Sequence, residues 1–326
     1  MAAVCALTVS AFLWGCSGGS NTRKEDGAAD VNMQADGAES AAAGQSEKDS
    51  AANGKEGQET AGGDIGAAAP GQDMAAGQGG SAETPAQLAG TSFSVLGDSI
   101  STFQGYNPVG YYAFFPEHGE VLKAEETWWQ RVADDLELTL YVNGSSSGAT
   151  AAGDSTGTEN PQCGCNELRT NDLSGPEGAC PDRVVIYLGT NDFLKAIPLG
   201  DNDGTELVEE GEVATFSDAY TLMIDKVQAN YPLAEIYCCT LLPVGDYGTE
   251  TPYVDFVNGE ELISADYGEA IVRIAESRGL SVIDLSSCGV TVENLHEMTS
   301  DGVHPTSAGM ERIAEAVKEA FAGQAQ

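Results

Sequence analysis

Ser99, Asp301 and His304 are the side chains of this 326-residue chain best suited to making a nucleophile of a hydroxyl. A serine hydroxyl attacks poorly until a base takes its proton, and a carboxylate on the second ring nitrogen fixes the tautomer of that base. Histidine is scarce, so the candidates for the base are few. His118 lies in the polar stretch PEHGE, and His296 lacks the carboxylate-and-proline setting of Asp301-Gly-Val-His304-Pro305. A spacing of three residues on a turn lets a short carboxylate at 301 reach back to the imidazole at 304. Ser99 stands in Gly97-Asp98-Ser99, at the opposite end of the apolar part of the chain.

A hydroxyl that attacks a carbonyl creates an oxyanion, which needs donors aimed at it in advance. Three are available: the backbone N–H of Ser99, the side-chain amide of Asn191 in Gly189-Thr-Asn-Asp192, and a glycine N–H in Val142-Asn-Gly-Ser-Ser-Ser-Gly148. Glycine suits the role because its backbone can approach a substrate closely. Gly144 and Gly148 both qualify, and Gly148 is preferred because it stands inside the loop and not at a strand terminus. Asp98 reads as a turn residue and Asp192 as structural.

These residues follow apolar runs. Phe93–Leu96 leads into Ser99, Leu140–Val142 into the Gly148 loop, and Arg183–Leu188 into Asn191. The last is a continuous β-branched run of the kind found in central parallel strands. Ala234–Leu242 and Leu280–Leu285 give two further strands. Helical spacing of apolar positions marks 127–138, 216–230, 267–278 (closed by Gly279) and 306–321. Alternating strands and helices predict an α/β fold, a parallel sheet of about five strands with helices on both faces. In such sheets ligands bind outside the carboxyl ends of the strands, where Ser99, Gly148 and Asn191 would meet.

Taken together, Gly97-Asp-Ser99, the Asn143…Gly148 loop, Gly189-Thr-Asn191-Asp192 and Asp301-x-x-His304-Pro305 resemble the four blocks of the SGNH (GDSL-like) hydrolase family, in the family's order over residues 92–322. The nucleophile block reads Gly-Asp-Ser-Ile, without the leucine of the family's usual motif. The resemblance implies a flavodoxin-like three-layer α/β/α sandwich. It implies Ser99 as nucleophile, Asp301 and His304 completing the triad, and Ser99, Gly148 and Asn191 as oxyanion donors. It further implies ester cleavage through an acyl-enzyme, with no metal and no cofactor.

Composition sets the surroundings. Residues 1–16 read as a lipoprotein-type signal segment: an apolar run ending Leu13-Trp-Gly-Cys16, with Cys16 the expected lipidation site. Residues 17–90 hold no Trp, Tyr, Phe or Cys and read as an acidic Ala/Gly-rich tether, unable to bury enough apolar surface to fold. Residues 91–323 form the expected catalytic domain. The formal charge is −37, of which the tether contributes −8 and the remainder −29, a balance that disfavours nucleic acid as a partner. The expected setting is therefore an exported monomer at a bacterial cell envelope or surface, touching the membrane only through its lipid. Six of the cysteines lie in the domain. Cys238 and Cys239 fall in an apolar run and are expected in the core. Cys163, Cys165 and Cys180 lie in a polar loop where an exported protein could form a disulfide; no histidine is near enough in sequence to suggest zinc.

Two loops bear on the substrate. Gln104–His118 (QGYNPVGYYAFFPEH) and Pro243–Phe256 (PVGDYGTETPYVDF) interleave aromatics with Gly, Asn and Pro. Such loops suit stacking on sugar rings, and Tyr106, Tyr111, Tyr112 and Tyr247 are the candidate substrate contacts. The expected activity is O-deacetylation of acylated carbohydrate. A lipase or thioesterase acting on longer acyl chains is the alternative, and a tethered glycan-binding module without catalysis is the third reading.

Overall fold

The computed structural model describes residues 84–157, 162–245 and 254–323. The signal segment with Cys16, nearly all of the tether, and Tyr247 lie outside the described residues. In chain order the strands are β1 (Ser92–Gly97), β2 (Thr139–Asn143), β3 (Gly153–Asp154), β4 (Arg183–Tyr187), β5 (Glu212–Val213), β6 (Glu235–Cys239) and β7 (Ser281–Ile283). The helices are α1 (Pro85–Leu88), α2 (Trp128–Asp135), α3 (Glu167–Asn171), α4 (Thr190–Leu194), α5 (Phe216–Asn230), α6 (Ser264–Ser277), α7 (Leu295–Met298) and α8 (Ser307–Phe321).

Five strands form one parallel sheet in the order β2-β1-β4-β6-β7. Every residue of β1 and β4 is buried, as a central strand covered on both faces requires. Helix α2 packs with α8 in one layer, and α5 lies between α3 and α6 in the other, so the expected three-layer α/β/α architecture is observed. Counting only the five sheet strands, the order is the flavodoxin-like 2-1-3-4-5. The chain therefore reverses its winding between β1 and β4, where such sheets bind ligands. Residues Gly97 and Tyr187 are register partners at that point, so the turns after β1 and β4 emerge side by side.

Local chemistry sets the helix ends. Thr127, Thr215 and Thr306 cap α2, α5 and α8 through their hydroxyls. Gly279, at φ +67°, ends α6 by accepting the left-handed conformation that L-residues avoid. The sequence pattern starts α6 at 267, three residues late, because Ser264–Asp266 carries no apolar stripe. A short antiparallel ribbon of β3 and β5 stands apart from the main sheet; its strands are too short to show a period in the sequence. Cys238 and Cys239 are fully buried in β6, and all six domain cysteines are free thiols.

Candidate active site

Strand β1 runs directly into a tight turn. Asp98 closes it, its Oδ1 accepting the Ile100 N–H at 3.0 Å, and Ser99 opens one turn of 3-10 helix. At the other end of the chain, Asp301 organises its own loop. Its Oδ1 accepts the N–H groups of Val303 (3.1 Å) and His304 (2.7 Å), which leaves Oδ2 for the ring. Oδ2 lies 2.7 Å from His304 Nδ1, and His304 Nε2 lies 2.9 Å from Ser99 Oγ. The structure thus brings all three residues into one hydrogen-bonded relay. Burial pushes the Asp301 carboxyl up, but the hydrogen bond and charge of His304, with the two backbone donors, outweigh it and hold the group below its ordinary value.

Gly148 occupies the left-handed region at φ +80°. Its loop is fixed from β1 and from α4. Ser146 N–H donates to Gly97 O at 3.1 Å. Asn191 Nδ2 donates to Ala149 O at 2.9 Å, and Lys195 Nζ to Gly148 O at 2.8 Å. One N–H of the Asn191 amide is thereby engaged in holding the loop, while its second hydrogen donates to nothing among the described residues. The Gly148 N–H donates to nothing among the described residues. Asp192 behaves as the sequence suggests: fully buried, it accepts the N–H groups of Ala151 (2.8 Å) and Ala152 (3.0 Å). Burial raises its carboxyl to about 7 against those two hydrogen bonds.

Three contributors were not legible in the sequence. Phe114 lies flat on the His304 ring, with centroids 3.6 Å apart and planes within 8°. The Phe114 N–H donates to Thr102 Oγ1 at 2.8 Å, and that hydroxyl donates to Ser99 O at 2.8 Å. The ring is therefore registered to the same turn that carries Ser99. Arg169, fully buried, donates to Gly97 O and Gly144 O, both at 2.8 Å, and lies 5.5 Å from the centroid of the Tyr111 ring. Burial lowers its guanidinium to about 10. Asp98 is more than a turn residue. Burial pushes its carboxyl up to about 6, against the Ile100 N–H and the charges of His304 and Arg169. Its second oxygen lacks a well-aligned donor, and the Thr190 hydroxyl is the smallest of the influences that favour the charge. Arg169 falls in a five-residue helix without a stripe, which is why it gives no signal.

The expected substrate contacts separate. Tyr112 is 62% exposed, its backbone held by Ser146 and Ser147 of the Gly148 loop. Tyr111 is half-buried against Arg169, and burial raises its phenol. Tyr106 packs on Phe103 and Trp129, so part of its ring covers the core. His118 and His296 are exposed and stand outside the relay.

A parallel α/β/α sheet whose switch point holds a serine–histidine–aspartate relay beside loop N–H donors defines the class of serine hydrolases. Residues 91–246 match the family GDSL-like Lipase/Acylhydrolase. Similar solved structures include a protein named as a GDSL-like lipase from Bacteroides ovatus, at 26% identity and TM-score 0.51, covering 72% of this chain and 98% of that one. A second, named likewise and from Bacteroides uniformis, shows 24% identity and TM-score 0.53, covering 73% and 98%. A protein from Lactobacillus plantarum has 20% identity and TM-score 0.53, covering 72% and 97%. No curated protein matches the chain. The family match over residues 91–246 and the similar structures support an SGNH, or GDSL-like, hydrolase and hence a hydrolase of ester bonds.

Proposed function

We propose that the protein removes acetyl or another short acyl group from carbohydrate at the cell surface, with Ser99 as nucleophile. The observation that carries the chemistry is the unbroken relay from Ser99 Oγ through His304 to Asp301 Oδ2. As Ser99 Oγ attacks the ester carbonyl, its proton passes to His304 Nε2, and Asp301 stabilises the imidazolium through Nδ1–H. The oxyanion is met by the N–H groups of Ser99 and Gly148 and the free amide hydrogen of Asn191. His304 then returns the proton to the leaving sugar hydroxyl, and the acyl group remains on Ser99. Water, deprotonated by Nε2, attacks that ester and releases the carboxylic acid.

The preference for a sugar ester rests on the 104–118 loop. Phe114 covers one face of His304, while Tyr112 stays exposed on a backbone bound to the Gly148 loop. An aromatic face beside polar loop groups suits a sugar ring better than a long aliphatic chain. Attachment through Cys16 would place the domain at the membrane surface, with the acidic Ala/Gly-rich segment as spacer.

Labelling with a fluorophosphonate tests the nucleophile: labelling of the wild type and none of a folded Ser99→Ala variant is expected, and an unlabelled wild type overturns the reading. A nitrophenyl ester series tests the acyl group. Activity should be greatest on acetate, and an optimum at about eight carbons or more refutes the short-acyl assignment. Membrane fractionation of Cys16→Ala should release the protein, and equal partitioning of both forms excludes the anchor.

A further inference from the structure

The backbone just after Gly148 is paired with a segment that carries two thiols. The segment 162–166 runs beside residues 150–152: Thr150 N–H donates to Gln162 O at 2.9 Å, Gly164 N–H to Thr150 O at 2.6 Å, and Cys165 N–H to Ala151 O at 3.2 Å. Thr150 and Cys163 form a parallel bridge. Within this segment the sulfurs of Cys163 and Cys165 lie 3.4 Å apart, and the two residues are only 1% and 0% exposed. No other hydrogen bond between two thiols is present among the described residues. Those residues also include no group of three His, Cys, Asp or Glu that could hold a metal.

We propose that Cys163 and Cys165 are a redox-active dithiol that closes to a Cys-Gly-Cys disulfide beside residues 150–152. The sulfurs need approach by only about 1.4 Å to reach bonding distance. Gly164 permits the link to lie flat on the core: a Cβ there would meet Leu188 Cδ1 at 2.7 Å, Met223 Sδ at 3.1 Å and Thr150 O at 3.2 Å. The pair is also polarised. The hydrogen bond they share lowers the Cys163 thiol and, together with burial, raises that of Cys165. Cys163 is the more readily ionised of the two, and the thiolate is the attacking species in thiol–disulfide exchange.

With glutathione disulfide as oxidant the step balances. Local opening of the 162–166 segment exposes Cys163, which is 1% exposed in the closed fold, and its thiolate attacks one glutathione sulfur, forming a mixed disulfide and expelling a glutathione thiolate. Cys165 then loses its proton and attacks the Cys163 sulfur, forming the internal bond and expelling the second glutathione. Two protein thiols are oxidised, and one glutathione disulfide is reduced to two glutathiones. A ring closed over a single intervening residue is strained, so the bond should be readily reversed by dithiothreitol.

Peptide mass spectrometry tests this without reference to ester hydrolysis. The tryptic peptide Val132–Arg169 contains Cys163 and Cys165 and no other cysteine. After incubation of the folded full-length protein with glutathione disulfide, then denaturation and alkylation, it should appear unalkylated and two hydrogens lighter than the dithiol. Dithiothreitol before alkylation should convert it to the doubly alkylated form. Cys165→Ser, lacking the resolving sulfur, should instead accumulate a glutathione adduct on Cys163. Double alkylation of the oxidised wild type, or a bond from either sulfur to Cys180 or Cys288, overturns the proposal.

Discussion

Replacing Asp98 by asparagine should change how stability depends on pH, by an amount the structure sets. Asp98 is fully buried, and burial raises its carboxyl from 3.8 to about 6, so no screening by solvent reduces the effect. A difference of about two units corresponds to about 3 kcal/mol. The folded-state value lies above the unfolded one, so the folded protein holds the proton more tightly. Stability from this group is fully present below about pH 4 and is lost as pH rises through 6. The asparagine side chain would keep the acceptor for Ile100 N–H while placing an amide where the second oxygen lacks a well-aligned donor. That unsatisfied amide costs roughly 1–3 kcal/mol at every pH and cancels when two pH values are compared. Urea unfolding at pH 4 and pH 7 should therefore show Asp98→Asn gaining about 3 kcal/mol relative to wild type between the two. Other acids titrate in both proteins and drop out of the difference. Parallel stability curves for the two proteins would refute the reading that burial raises the Asp98 carboxyl beneath the nucleophile.

Further expectations follow from single contacts. Asp301→Asn should reduce kcat by about four orders of magnitude with little change in KM, since an amide stabilises the wrong tautomer and no imidazolium; steady-state kinetics on a short-chain nitrophenyl ester reads it. Phe114→Leu should reduce kcat roughly tenfold while leaving fluorophosphonate labelling detectable, because His304 loses the plane that fixes its ring; an unchanged kcat would show that the stacking is incidental. Asp192→Ala strands the N–H groups of Ala151 and Ala152, and at roughly 1–3 kcal/mol for each unsatisfied donor it should lower the thermal midpoint clearly.

The parallel sheet was legible because its strands are apolar runs ending in turn residues: Arg183–Tyr187 is buried throughout, as its β-branched run requires. The relay was legible for a different reason, that Asp301 and His304 are local to one another and Ser99 follows the first strand. What the sequence hid depends on contacts between distant loops. Phe114 is one aromatic among several in Gln104–His118, and nothing in spacing separates the ring stacked on His304 from Tyr106, packed on Trp129. Arg169 looks like a surface residue of a polar loop until the fold closes over it. The placement of Cys163 beside Cys165 was open because a Cys-Gly-Cys stretch can direct its sulfurs together or apart, and only the pairing with Thr150 and Ala151 decides.

Each sequence block at the site supplies one residue that can do chemistry and a neighbour that builds the loop presenting it. Asp98 shapes the turn of Ser99, and Asp192 ties down the loop of Gly148 while Asn191 reaches it from the same helix. Asp301 does both, spending one oxygen on the backbone of its own loop and the other on His304. The charges concerned are bonded mainly to backbone and not to one another: Arg169 joins Gly97 O to Gly144 O, and Asp192 joins Ala151 to Ala152. Backbone partners suit this task because a peptide group cannot rotate away without moving its loop. Burying such charges is costly, as the raised carboxyls of Asp98 and Asp192 show. The cost falls where loops lack the regular hydrogen bonding of a helix or sheet, and where a displacement of one ångström at an oxyanion donor would be felt in the rate.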